Sequence, residues 1–370
     1  MTARPLLLPL FAAAALALSA CDGTDPFAPT ATVDLPADAA IAGTDPAGRL
    51  VLLGGGETGA TATVVAGDAV VSSTEVALPD RSSVVLAGES EVLFGELTDG
   101  GFLLHVADAR TGAPLGDRPV VPFPEDADVT TTAIATPDGR LLIAVSRVYG
   151  TPELLLVDPA TGAVTGSAAV DLSGIVDPAR LADSSQLVEI KGVVASPAGS
   201  AFAVALDVYD DVADRHTGVL TVVDRQLAPV TAPFVPAPGE GWGTEPAVWV
   251  ADDGTATAAV EQDGEDVLAA VDPGAGDADV VAHLTGSTHT LVVTGGVVWL
   301  VYDDDPLRVT RIDLASGGTT HSVDLCSSGG TAQLVPADDG GVWLSDGCDA
   351  DRLWRFTAEP TSASGHGAGR

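Results

Sequence analysis

The sequence predicts an all-β chain, a seven-bladed β-propeller of four-stranded blades spanning residues 31–358. Three observations carry that expectation. Two kinds of turn segment recur and alternate along the chain. The runs between them are short and apolar. The spacing leaves room for four strands in each repeating unit.

The first kind of segment is a turn between two apolar runs. It occurs seven times: TDPAGRLVLL (44–53), LAGESEVLFG (86–95), TPDGRLLIAV (136–145), SPAGSAFAVA (196–205), ADDGTATAAV (251–260), VTGGVVWLVY (293–302) and PADDGGVWLS (336–345). The second kind is an apolar run halted by Asp and followed by a turn. It appears as VADARTGAPL (106–115), LVDPATGAVT (156–165), VVDRQLAPVT (222–231), AVDPGAGDAD (270–279) and RIDLASGGTT (311–320). TVVAGDAVVS (63–72) and LWRFTAEPTS (353–362) are weaker members, so this family also reaches seven and alternates with the first. Gly and Asp at these places suit hairpin turns, because they tolerate the backbone angles and bond their own backbone. Runs such as RLLIAV and GVVWLVY suit strands covered on both faces and are too short for helices. A strand–turn–strand–loop–strand–turn–strand unit of about 40–60 residues is a propeller blade.

The seventh unit runs out of chain after its third strand, near Phe356. The segment TATVDLP (30–36) alternates as a strand and precedes the first unit. It is expected to supply the missing outer strand, closing the ring and covering an edge.

The turns DGR (138–140) and VDPATG (157–162) resemble those of bacterial YVTN-type and quinoprotein-like propellers. The resemblance spreads over nearly all of 31–358 and implies the fold rather than a chemistry. No Trp-Asp signature closes the blades, and no quinone-docking Trp motif repeats.

The first twenty residues, MTARPLLLPLFAAAALALSA, read as a secretory signal with a short basic start and an apolar run. Leu18-Ser19-Ala20-Cys21 resembles the lipobox of bacterial lipoproteins. The resemblance implies that residues 1–20 are a lipoprotein signal peptide and that Cys21 is lipidated and becomes the new amino terminus. Acyl chains contribute about 0.8 kcal/mol per buried methylene, so two or more give stable anchoring. Residues 21–30, rich in Asp, Gly, Pro and Thr, then form a flexible tether, and 359–370, rich in Gly and Ser, a disordered tail. The expected location is the extracytoplasmic side of a bacterial cell membrane.

Sixteen basic residues stand against 52 acidic ones, a net charge of −36, and Lys191 is the only lysine. No basic patch is available to neutralise phosphates, which excludes nucleic acid as a partner. The acidity also fits compositional or habitat bias. Of three cysteines, Cys326 and Cys348 remain beside Cys21. An even pair in an exported chain is the disulfide expectation. Bridging the last two blades contributes about 3 kcal/mol in the entropy model; two buried free thiols are the rival reading.

In a propeller the loops joining second to third strands share a face with the inter-blade connections. That face collects acids: Asp210, Asp211 and Asp214, Asp263 and Asp266, Asp303, Asp304 and Asp305, and Asp349 and Asp351. The two longest connections, 171–190 and 235–246, lie there as well. Within the first, Asp177 and Pro178 mark a short helix as N-cap and first helical residue. Clustered Asp oxygens suit calcium, but no segment matches an EF-hand loop, so no cofactor is expected beyond a possible calcium ion. His216 and His289 fall on this face and each has acids near enough to pair with; His105 and His283 sit in apolar runs and are expected in strands. No G-x-S-x-G, H-E-x-x-H or P-loop is present, and no residue is assigned a catalytic role. The leading expectation is a lipid-anchored, non-enzymatic binding or scaffold module that meets a protein or peptide through this face. The alternative is a propeller enzyme of lactonase, dehydrogenase or lyase type with its site in the central channel. The fold itself accommodates either.

Overall fold

The computed structural model describes residues 29–357 except 36–39, 45–48, 56–59, 68, 77–82, 88–90, 99, 109–110, 123–128, 148–149, 183–184, 236–241, 243–245, 263, 274–277, 303–305, 327–331, 338–339 and 346–351. The described strands form seven antiparallel sheets; six are meanders in which neighbours in sequence are neighbours in space, and the seventh adds the N-terminal strand β1 (Ala31–Asp34) to a meander of the last three strands. Blade one holds β1's successors β2 (Ala40–Thr44), β3 (Leu50–Gly55), β4 (Ala60–Ala66) and β5 (Ala69–Val76). Blade two holds β6 (Ser83–Ala87), β7 (Glu91–Thr98), β8 (Gly101–Asp108) and β9 (Pro114–Pro122). Blade three holds β10 (Val129–Ala135), β11 (Leu141–Arg147), β12 (Glu153–Asp158) and β13 (Ala163–Ala169). Blade four holds β14 (Gln186–Ala195), β15 (Ala201–Asp210) and β16 (Arg215–Asp224), preceded by the helix α1 (Pro178–Ala182). Blade five holds β17 (Val248–Val250), β18 (Ala256–Gln262), β19 (Glu265–Val271) and β20 (Asp279–His283). Blade six holds β21 (Thr288–Thr294), β22 (Val297–Tyr302), β23 (Leu307–Asp313) and β24 (Thr319–Cys326). Blade seven holds β25 (Gln333–Pro336), β26 (Val342–Ser345) and β27 (Arg352–Phe356), with β1 (Ala31–Asp34) at its outer edge.

The first strands of successive blades touch one another all the way round: β2 with β6, β6 with β10, β10 with β14, β14 with β17, β17 with β21, β21 with β25, and β25 again with β2. They therefore line the axis of a closed seven-bladed ring. Closure comes from the expected segment. Ala31–Asp34 pairs with Arg352–Arg355, and the Thr30 N–H donates to the Arg355 carbonyl at 2.8 Å. The second strands are sandwiched between blades, so β11 and the first eight residues of β15 are buried almost without alternation. Outer strands such as β13 instead show an exposed face. The fourth position of blade four is taken by 229–234, which meets β16 through isolated bridges, Val223 to Pro229 and Leu220 to Phe234. Pro229 and Pro233 have no N–H to give a ladder, which confines this segment to an irregular outer edge.

Both kinds of repeated turn have a physical job. In the first kind Gly139, Gly199, Gly254 and Gly340 donate back to Thr136, Ser196, Ala251 and Ala337 at 2.8, 2.9, 3.0 and 3.1 Å. In the second kind the Asp side chain caps the turn. Asp158 accepts from Ala160 N–H and Thr161 Oγ1, both at 2.9 Å, and Asp313 accepts from Ser316 N–H at 2.8 Å. The glycine closing such a turn presses on the preceding blade. A Cβ at Gly317 (φ +66°) would stand 2.0 Å from the Val281 carbonyl oxygen, and one at Gly112 (φ +67°) 1.9 Å from that of Glu75. Only glycine permits that backbone and that approach together.

Candidate functional site

Blade four has the longest strands of the described chain, ten residues in each of β14, β15 and β16. The reason is local. The acidic stretch 207–216, expected as a loop, is mostly strand: Asp207–Asp210 continues β15, Arg215 and His216 begin β16, and 211–214 alone makes the turn. Asp214 closes it at φ +48°, a left-handed angle that Asp tolerates.

The helix signal in the connection before blade four is realised. Asp177 caps α1, its Oδ1 accepting from Ala179 N–H at 2.9 Å. The helix carries Arg180 to the hairpin, where its two Nη atoms bind the two oxygens of Asp210 at 2.7 and 2.5 Å. Asp210 Oδ1 also accepts from Val212 and Ala213 N–H at 3.1 and 2.9 Å. The Arg180 fork and the Ala213 N–H hold the Asp210 carboxyl well below the usual carboxylate range. The Asp211 N–H reaches the Ser185 carbonyl at 3.0 Å, so connection and hairpin are tied at two points.

Between them lies a pocket of roughly 350 Å³. Gly174 and Ile175 come from the connection, and Val235 from the far side of the blade. Gln186, Val208, Asp210, Arg215 and Thr217 come from the three strands. Strand pairing explains the selection. Asp210 opposes Arg215 and Val208 opposes Thr217, so these four share the face turned to blade three.

The alternate residues point the other way, towards blade five. There His216 Nδ1 lies 2.6 Å from Asp207 Oδ2, and the Tyr209 ring sits 4.8 Å from the imidazole. Asp207 is 7 % exposed, and its Oδ1 is buried without a hydrogen-bond partner among the described residues. The Tyr209 hydroxyl donates to Asp214 at 3.1 Å, which raises the phenol's pKa. Trp242 covers this side, its Nε1 donating to the Val219 carbonyl at 3.2 Å over Gly218. His216 and the pocket are thus sequence neighbours on opposite faces of one hairpin.

Of the other candidate acids, Asp266 lies in β19 and its carbonyl accepts from Leu284 N–H at 2.7 Å. Asp263, Asp303, Asp304, Asp305, Asp349 and Asp351 lie outside the described residues, as do Cys21 and Cys348. The backbones of His289 and Cys326 belong to β21 and β24, but their side chains lie outside the description. Among the described residues no three His, Cys, Asp or Glu side chains converge as a metal site. His105 and His283 are strand residues as expected, and His105 is held on both sides, by Glu96 at 2.6 Å and Asp117 at 2.8 Å. Arg180, Gln186, Asp207, Tyr209 and Arg215 carried no signal as site residues in the sequence, because partners 9 to 30 positions apart meet only through strand pairing and the helix.

No family model and no curated protein matches the chain. Solved structures do. Hydrazine synthase of Kuenenia stuttgartiensis aligns with a TM-score of 0.57 at 14% identity, covering 85% of this chain and 94% of that one. The Myceliophteria thermophila Cps50 (Swd1) β-propeller domain aligns at 0.55 and 13% identity, covering 90% and 99%. What they share with this chain is the fold. At such identities the likeness carries no activity across.

Proposed function

We propose that this β-propeller is an exported bacterial lipoprotein, anchored through Cys21, that binds a protein or peptide through the face bearing the inter-blade connections. One observation carries the binding reading. The described turns of the opposite face are short and close on themselves, whereas the upper end of blade four combines a capped helix, a tied hairpin and a pocket. Propellers hold their binding residues on such elaborated loops. The lipobox residues Leu18-Ser19-Ala20-Cys21 support the anchor, and among the described residues no helix is long and apolar enough to cross a membrane. The YVTN-like and quinoprotein-like turns support a resemblance of blade type only. The Cys326–Cys348 bridge belongs to the same proposal, as the staple of the last two blades.

Cys21→Ala is expected to move the chain from the detergent phase to the aqueous phase; partitioning unchanged by the substitution would remove the anchor. Cross-linking capture from the native membrane should return one near-stoichiometric partner. The enzyme reading has one observation in its favour, the buried Asp207 orienting His216 with its Nε2 unpartnered among the described residues. That pair bridges the second and third strands of its blade at their outer end, whereas the channel site was expected at the axis that the first strands line.

A further inference from the structure

Arg215, an exposed residue, lines the blade-four pocket with no ion pair among the described residues. Asp210, the pocket's one carboxylate, is already engaged by the guanidinium of Arg180 at 2.7 and 2.5 Å. Arg215 faces it across the strand pair, and neither its guanidinium nor the Thr217 hydroxyl has a partner among the described residues. In a chain with 52 acidic and 16 basic residues, counter-charges for a stray arginine are abundant. The rest of the wall carries no charge: Ile175, Val208 and Val235 are aliphatic, beside Gly174 and the Gln186 amide, whose nitrogen lies 3.5 Å from Asp210 Oδ2.

An unpaired planar fork beside branched aliphatic side chains fits one ligand chemistry. Guanidinium binds carboxylate through two parallel hydrogen bonds, and a hydroxyl beside it adds a third. A volume of roughly 350 Å³ lies at the small end of ligand sites and accepts little more than one aliphatic unit with its carboxylate. The chain's large negative charge does not forbid this, because charges beyond about 8 Å are largely screened at physiological salt.

We infer that this pocket binds a carboxylate carried next to a short branched aliphatic group, the carboxylate on Arg215 and Thr217 and the aliphatic part on Ile175, Val208 and Val235. The inference rests on reading this face as the binding face. The carboxylate belongs either to a free short-chain acid or to the last residue of a peptide.

The test is calorimetric titration of the full chain with isovalerate and with a tripeptide ending in valine, with free or amidated carboxyl terminus. Saturable binding of the acid or the free peptide is expected. It should vanish on amidation and weaken about tenfold in Arg215→Met at unchanged melting temperature, the effect of losing one charge-assisted contact. Tighter binding of the acid assigns a small-molecule source, and tighter binding of the free peptide a chain terminus. Equal binding of the amidated peptide, an Arg215→Met variant that binds normally, or no saturable binding of either probe overturns the inference. A membrane partner still captured by Arg215→Met would preserve the face as a binding surface while the pocket proposal fails; loss of every partner and every ligand would remove both.

Discussion

The two faces of the ring are built from the same blades and behave differently. On one face the Asp and Gly turns close on themselves and press against the preceding blade, as Asp158 and Gly317 do. On the other, blade four continues into a long hairpin tied to a helix, and groups such as Arg215 and His216 Nε2 have no partner among the described residues. The repeated residues hold the ring together; the unrepeated ones are where a ligand is to be sought. Repetition in this chain marks structure, and departure from it marks the candidate site.

That contrast breaks first at the packed face. Gly317→Val places a Cβ 2.0 Å from the Val281 carbonyl oxygen at a left-handed φ. It is expected to destabilise by about 3 kcal/mol, readable as a shifted urea midpoint. A midpoint equal to wild type would mean that the turn does not dock on its neighbour. Asp158→Ala should cost less, about 1 kcal/mol, by leaving the Ala160 N–H and Thr161 hydroxyl without their acceptor.

On the elaborated face the effect should be conditional on pH. Asp210 is held below its ordinary pKa by Arg180, so its contribution is present above about pH 4 and is lost as pH falls through the folded value. Arg180→Ala should therefore lower the melting temperature at neutral pH and converge with wild type in strong acid. A constant gap across the range would detach the ion pair from stability.

The smallest expected effect lies midway between the faces, in blade two. Burial disfavours the His105 charge, but its hydrogen bonds to the Glu96 and Asp117 carboxylates outweigh it and raise the imidazole's pKa. Its contribution is complete below about pH 6.5 and lost as pH rises through the folded value. His105→Gln should differ most from wild type near pH 5 and least in the alkaline range, measured by thermal melts in matched buffers.

Much of the fold was legible because hairpin turns constrain residue type directly. TPDG, VDPATG and IDLASG announce positive φ and side-chain caps wherever they occur, and Asp177-Pro178 announces a helix start. The closing strand was legible as an alternation without a partner. The site was less so. DVYDDVADRH reads as a solvated acidic loop, yet the four residues of it that continue β15 decide everything about it. Strand parity sends Asp210 and Arg215 to one face and Asp207 and His216 to the other, and parity depends on a register the sequence does not print. The Arg180–Asp210 pair is more distant still, since it depends on where a helix after an irregular connection comes to rest.

The ring closure has a mechanical consequence. The strand that completes blade seven is the chain's own N-terminal segment, held to β27 along four residue pairs, Ala31 to Arg355 through Asp34 to Arg352. Load transmitted along the chain from the residues before it reaches the propeller at that strand. If the segment ahead is tethered to a membrane, the latch that closes the ring is also the first bond line to feel tension. Its rupture would leave blade seven with a bare edge and the ring open at one seam.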